Sequence, residues 1–197
     1  MTTERIDVLD SFVGVRLDAT EVTIRRGIPA DAAALSRAAA SMFTDTFGAA
    51  NRPEDLASYL ASAFSEESQR AELSGANSRI WLAHDGQGIA GYAHVRLDAP
   101  LPVRSTIPSE RPAEIARIYA DRRWHGRGLG GSLMQVCLAA ARAWGADVLW
   151  LGVWERNPRA IAFYEKLGLA VVGEQAFRLG ADRQRDLVMA LRLTNDG

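Results

Sequence analysis

Four glycines crowd positions 126–131, within the stretch Arg122-Arg123-Trp124-His125-Gly126-Arg127-Gly128-Leu129-Gly130-Gly131. A run of strong helix formers follows at residues 132–144. Glycines at the mouth of a helix leave backbone N–H groups uncovered by side chains, and the helix dipole adds positive potential there. That combination suits a phosphate or pyrophosphate, with Arg122, Arg123 and Arg127 able to add charge from outside. Gly126, Gly128 and Gly131 satisfy G-x-G-x-x-G literally, and Glu155 stands where a ribose-binding acid would be sought, so a dinucleotide is one reading. Against it, residues 121–125 separate the loop from its strand, and the chain downstream is short for a dinucleotide domain. A P-loop is excluded because no Gly-Lys-Ser/Thr follows.

Other reactive side chains are sparse. Cys137 is the single cysteine and sits among Val136, Leu138 and Ala139, which predicts a buried, inert thiol. His84, His94 and His125 lack HxxxH or HExxH spacing, so no metal site is expected. The five tryptophans read as core or channel lining.

The elements that must position the loop follow from pattern. Residues 114–120 read as the strand feeding it, and residues 147–154 as a strand buried on both faces, because after Asp147 the run carries no polar side chain. With the helix at 132–144 between them, these form a βαβ unit. Asn157 and Pro158 start a helix over 159–167 that Gly168 ends, and strands at 171–178 and 185–193 finish the chain around a turn at 180–182. Upstream, a strand at 22–26 precedes a helix running from Pro29 and Asp31 toward Phe47. A second helix spans 53–64, a third reaches Leu73, and strands at 79–84 and 89–97 form a hairpin about Asp85-Gly86. Residues 100–112 are a proline-rich connection. Residues 1–20 read as a loosely ordered leader with a short strand around 12–15, and 21–197 as a single domain.

Composition narrows the classes. The 197 residues are 48% hydrophobic and 24% charged with a formal net charge of −1, a globular balance without the basic surface that nucleic acid needs. No apolar run reaches the ~20 residues that span a membrane. The N-terminus lacks the features of a signal peptide, so the expected location is cytoplasmic.

The glycine loop, paired with Asn157-Pro158-Arg159-Ala160-Ile161-Ala162-Phe163-Tyr164-Glu165-Lys166-Leu167-Gly168, resembles the GNAT N-acetyltransferase superfamily. The first block is similar to its Q/R-x-x-G-x-G/A acetyl-CoA loop and the second to its N-x-x-A-x-x-F-Y-x-K-x-G segment, over roughly residues 21–193. Residues 150–157, Pro53-Glu54-Asp55 and residues 177–186 look similar to the PaiA-type spermidine/spermine acetyltransferases. One departure stands out: His125 opens the loop where the superfamily has Gln or Arg.

The resemblance implies an α/β fold with a mixed, mostly antiparallel sheet, helices on both faces, and a splay where the glycine-loop strand parts from the strand ending at Trp154. It implies that the backbone of Ile118, Tyr119 and Ala120 pairs with the pantetheine arm. Arg123, His125, Gly126, Arg127, Gly128, Leu129, Gly130 and Gly131 would hold the pyrophosphate, and Asn157 would touch the cofactor arm besides capping its helix. Tyr164 is the candidate general acid, since a phenol can protonate a departing thiolate. An amine of pKa ~10.4 is only about 0.04% neutral at pH 7, so a base is useful, and Glu114 is its first candidate, ahead of Glu155 and His125.

The activity so implied is direct acetyl transfer from acetyl-CoA to a primary amine, with a polyamine as favoured acceptor. A peptide or protein amine, an aminoglycoside, a non-catalytic acyl-CoA-binding module and a nicotinamide oxidoreductase stay open as alternatives. A homodimer through the C-terminal strands is a further expectation.

Overall fold

The computed structural model describes residues 13–17, 20–102 and 105–193. The elements are β1 (Val13–Leu17), β2 (Thr20–Arg26), α1 (Ala32–Phe47), α2 (Pro53–Ala63), α3 (Glu66–Ser74), β3 (Ser78–His84) and β4 (Ile89–Leu97). They continue as β5 (Pro112–Ala120), α4 (Leu129–Trp144), β6 (Val148–Trp154), α5 (Pro158–Lys166), β7 (Ala170–Leu179) and β8 (Asp182–Arg192). The strand expected around 12–15 is β1, paired antiparallel with β2. The rest of the expected leader, residues 1–12 and 18–19, lies outside the described residues.

Among the described residues one sheet holds eight strands in the order β1-β2-β3-β4-β5-β6-β8-β7. Every neighbouring pair is antiparallel except β5 and β6, which run parallel. That parallel pairing is short: Pro112 faces Val148, Ala113 faces Leu149, Glu114 faces Trp150, and the strands then part. Meanwhile β5 stays paired with β4 as far as Ala120, and β6 with β8 as far as Trp154. The expected splay is therefore present, opening beyond Glu114.

Two features shape it. At the closed end, the Asp147 carboxylate accepts hydrogen bonds from the Ser109 hydroxyl and from the N–H groups of Glu110 (2.8 Å) and Arg111 (3.2 Å). Burial alone would raise this carboxyl, but these donors outweigh it and hold it below the usual carboxylate range. Along the open part, consecutive His94 and Val95 of β4 face Arg117 and Ile115. Ala116 is the extra residue of a β-bulge, which bends β5 away from β6.

The sheet has a core on each face. Leu129, Leu133, Met134, Cys137 and Ala141 of α4 bury one stripe against Val95, Ile115, Leu149 and Leu151. Leu35, Ala39, Met42 and Phe43 of α1, with Phe64 and Leu73, cover Ile80, Leu82 and Tyr92 on the other. The sequence places α4 three residues late: it begins at Leu129, so Gly130 and Gly131 lie in its first turn. Gly145, at φ 83°, ends it, with the Ala146 N–H returning to the Ala141 carbonyl at 2.9 Å.

Candidate active site

The glycine loop is anchored before it is shaped. After β5 the Asp121 carboxylate accepts the Arg123 N–H at 2.9 Å and starts a short 3-10 turn over Arg122–Trp124. The buried Trp124 indole then donates to Asp85 of the β3–β4 turn at 3.0 Å. Beyond this anchor Gly126 (φ 76°) and Gly128 (φ 90°) adopt the left-handed conformation that other residues resist. A Cβ at Gly126 or Gly131 would meet nothing within 4 Å, so the loop presents open backbone at the start of α4. Such a cradle fits a pyrophosphate.

The charge around it differs from expectation. Arg123 does not turn to the loop: its guanidinium binds Asp121, Asp85 and the Gln87 side chain. Arg127 stacks 5.8 Å from the Trp124 ring, and Leu129 is fully buried in the core. Carboxylates within reach capture Arg123, and burial of Leu129 seats the helix. The cation facing the cleft from α5 is Arg159, whose Nη1 lies 3.0 Å from Nδ1 of His125. A guanidinium can only donate, so Nδ1 accepts and Nε2 carries the hydrogen that bonds the Ala120 carbonyl at 3.0 Å.

Between the parted strands lies a cleft of about 740 Å³. At one end it reaches His125, Gly126, Gly128, Gly130 and Gly131, and its wall includes Asn157, Tyr164, Glu114 and the β5 segment Ile118 to Ala120. The Asn157 side chain also caps α5, accepting the Ala160 N–H at 3.2 Å. Tyr164 is 8% exposed. Burial, with Cys137 nearby, pushes its phenol far above the ordinary value, so the hydroxyl is held protonated and able to donate. Cys137 itself is fully buried and its thiol is driven upward by desolvation, as an inert residue should be.

The other end is aromatic. Phe43 lies 4.8 Å from Tyr59, Phe47 lies 6.0 Å from Trp154, and Tyr59 lies 5.4 Å from Phe177, so rings from α1, α2, β6 and β7 close over the cleft. α2 is fastened there by Asp55, whose carboxylate accepts the Ala181 N–H at 2.6 Å. Two segments singled out in the sequence, around Asp55 and across the β7–β8 turn, thus meet.

Acids and bases divide clearly. Burial raises the Glu114 carboxyl against the pull of Arg96, 3.3 Å away, and of Arg117. Arg117 is itself held by Glu72 at 2.6 Å over the Phe64 ring. Glu155, the weaker base candidate, pairs with Arg185 at 3.1 Å and does not line the cleft, while both ring nitrogens of His125 are engaged. Sequence reasoning assigned no role to Asp186, a cleft residue 8% exposed, whose carboxyl burial raises to about 6. A signal existed: strand alternation puts Asp186 on the face of Val188 and Ala190, both buried. Among the described residues no His, Cys, Asp and Glu cluster could hold a metal ion, and no helix is long and apolar enough to cross a membrane.

Comparison with known proteins agrees with this architecture. The Acetyltransferase (GNAT) family model matches residues 40–169. An uncharacterized N-acetyltransferase of Lactobacillus delbrueckii is 37% identical over 148 residues, 75% of this chain and 83% of that protein. One from Mycobacterium tuberculosis is 35% identical over 164 residues, 83% of this chain and 98% of that protein. In fold, the chain is similar to a PaiA N-acetyltransferase from Thermoplasma acidophilum in complex with coenzyme A (TM-score 0.69, 18% identity, 87% of this chain and 99% of that one). It is also similar to Arabidopsis thaliana NAA60 in complex with acetyl-CoA (TM-score 0.66, 13% identity, 87% and 98%). A glycine loop at the mouth of α4, a sheet parted beside it and these sequence matches together establish that the chain belongs to the GNAT family of acetyltransferases.

Proposed function

We propose that this protein transfers the acetyl group of acetyl-CoA to a primary amine of an alkyl polyamine, by direct attack within a ternary complex. The observation that carries the reading is that one cleft joins the glycine loop, the unpaired edge of β5, Tyr164 and the aromatic acceptor end. Acetyl-CoA supplies an acetyl carbonyl activated as a thioester. The N–H groups of the glycine loop and the Arg159 guanidinium hold its phosphates, and the β5 edge at Ile118 and Tyr119 offers backbone groups to its arm. Glu114 takes one proton from the acceptor's ammonium through water, and the neutral amine attacks the thioester carbonyl. The C–S bond breaks as Tyr164 donates its proton to the departing sulfur, and the second proton leaving the new amide nitrogen restores the phenol.

The polyamine preference rests on the chemistry of the acceptor end. Methylene spacers suit a wall of Phe43, Phe47, Tyr59, Trp154 and Phe177, while ammonium groups suit carboxylates and ring faces. CoA release from acetyl-CoA, followed across spermidine, spermine, an aminoglycoside and short peptides, tests it. Turnover greatest with spermidine or spermine is expected. Turnover confined to peptides or the aminoglycoside would replace the acceptor, and acetyl-CoA binding without any turnover would leave a binding module.

A further inference from the structure

Asp186 differs from the other shielded acids of this protein. Asp55 accepts the Ala181 N–H, Glu72 binds Arg117, Asp85 accepts from Trp124, Asp147 accepts from Ser109, and Glu114 faces Arg96. The Asp186 carboxylate forms no hydrogen bond and no ion pair among the described residues. It is nevertheless only 8% exposed and lines the cleft. An isolated carboxylate so buried is costly, so a sequence that keeps one gains something by it.

The surroundings say what would neutralise it. Asp186 stands in β8 directly opposite Trp154 of β6 and Gln175 of β7. Trp154 packs edge-on against Phe47, and Tyr59 against Phe177, so the carboxylate sits at the aromatic end of the cleft. Next to it, β6 has a glycine. A Cβ on Gly152 would fall 2.4 Å from the Gln175 amide nitrogen and 3.2 Å from a carboxylate oxygen of Asp186. The missing side chain lets both polar groups approach the backbone of β6. A shielded anion among aromatic rings is a receptor for an organic cation.

Glu114, at the point where β5 and β6 part, already has Arg96 and stands nearer the base role. We propose that Asp186 receives a second, non-reacting ammonium of the acceptor, so that the enzyme discriminates α,ω-diamines from monoamines of the same chain length. This deepens the acetyl-transfer reading above and rests on it for the position of the reacting amine. The step at Asp186 is ion pairing alone, and no covalent bond changes there.

Steady-state kinetics with 1,4-diaminobutane and n-butylamine, for wild type and Asp186→Asn, provide the test. The wild type is expected to favour the diamine in kcat/KM by roughly tenfold to a hundredfold, the scale of one charge-assisted pair. In Asp186→Asn that preference should collapse toward unity, with the loss in diamine KM rather than in kcat. Asp186→Glu should restore part of it. Calorimetric titration of 1,4-diaminobutane into both proteins reads the same subsite without turnover. If no amine is acetylated, the proposed reaction fails, and the subsite still stands or falls on the calorimetry. Equal diamine binding by wild type and Asp186→Asn, or an unchanged diamine preference, overturns the inference.

Discussion

Nδ1 of His125 lies 3.0 Å from Nη1 of Arg159, and Nε2 of the same ring lies 3.0 Å from the Ala120 carbonyl oxygen. One imidazole therefore ties the end of β5 to the first turn of α5 and carries a guanidinium to the glycine loop. His125 stands where the sequence resemblance leads one to expect Gln or Arg, and the guanidinium beside it belongs to Arg159 of α5.

If Arg159 supplies phosphate charge, Arg159→Ala should weaken acetyl-CoA binding by about fivefold to tenfold, since the pair is exposed and screened. The loss should shrink as salt is added. His125→Ala should cost less, and the double variant should lose less than the product of the two. Full additivity in calorimetric titration would mean that His125 does not position Arg159.

Tyr164 is shielded, and burial keeps its phenol protonated over any practical assay range. Tyr164→Phe should lower kcat by about a hundredfold, the usual scale for general acid catalysis, and leave acetyl-CoA affinity within about twofold. Its pH profile should keep the wild-type shape, because no limb belongs to this hydroxyl. An unchanged kcat would remove Tyr164 from the acid role, and a vanished basic limb would mean that its hydroxyl titrates within the assay range.

Burial raises Glu114 even with Arg96 beside it, so its ionisation should appear as an acidic limb in kcat/KM above the ordinary carboxylate range. Activity rises through that limb as the base loses its proton. Glu114→Gln should lower kcat at least about tenfold and abolish the limb. Persistence of the limb in the variant would transfer the base role elsewhere.

The acceptor roof depends on a contact distant in sequence. Gly180 has φ 61°, and a Cβ there would fall 2.6 Å from the Asp55 Cα. Gly180→Ala should destabilise by about 2–4 kcal/mol in urea denaturation, combining left-handed strain with a backbone clash. Because α2 carries Tyr59, the amine KM should rise more than the acetyl-CoA KM. Equal changes in both would separate this turn from the acceptor end.

How much of this was readable in the chain depended on how local the cause was. The glycines of the loop, Asn157 with Pro158, and the apolar run of β6 state their structure within a few residues, because capping, left-handed turns and strand burial are short-range effects. The bulge at Ala116 leaves no such mark: it exists only in register with His94 and Val95. The capture of Arg123 likewise needs Asp85, which the β3–β4 turn brings close, and the pairing of His125 with Arg159 needs α5 docked beside the loop. Asp186 lay between these cases. Its alternation with Val188 and Ala190 marked the buried face, but the lack of a partner appears only once β6, β7 and β8 are assembled.

The stability of the fold should record the cost of Asp186. An unfolded aspartate titrates near 4, whereas burial raises this one to about 6. Below pH 4 both states are protonated and the residue is neutral to stability. Between pH 4 and 6 the unfolded chain has released the proton that the folded protein still holds, so the folded state binds more protons and stability falls as pH rises. Above pH 6 the penalty is complete, at most about 3 kcal/mol and smaller with partial access to water. Asp186→Asn, close in shape to the protonated acid, should therefore be more stable than wild type at pH 7.5 by roughly 1–3 kcal/mol and nearly equal to it at pH 4. Guanidinium denaturation of both proteins at the two pH values measures this. A variant no more stable at pH 7.5 than at pH 4, relative to wild type, would mean that the carboxylate is not strained by burial. The same strain should ease when 1,4-diaminobutane binds, so saturating diamine should raise the midpoint of the wild type at pH 7.5 more than that of Asp186→Asn. Stability and amine recognition would then oppose each other at one side chain.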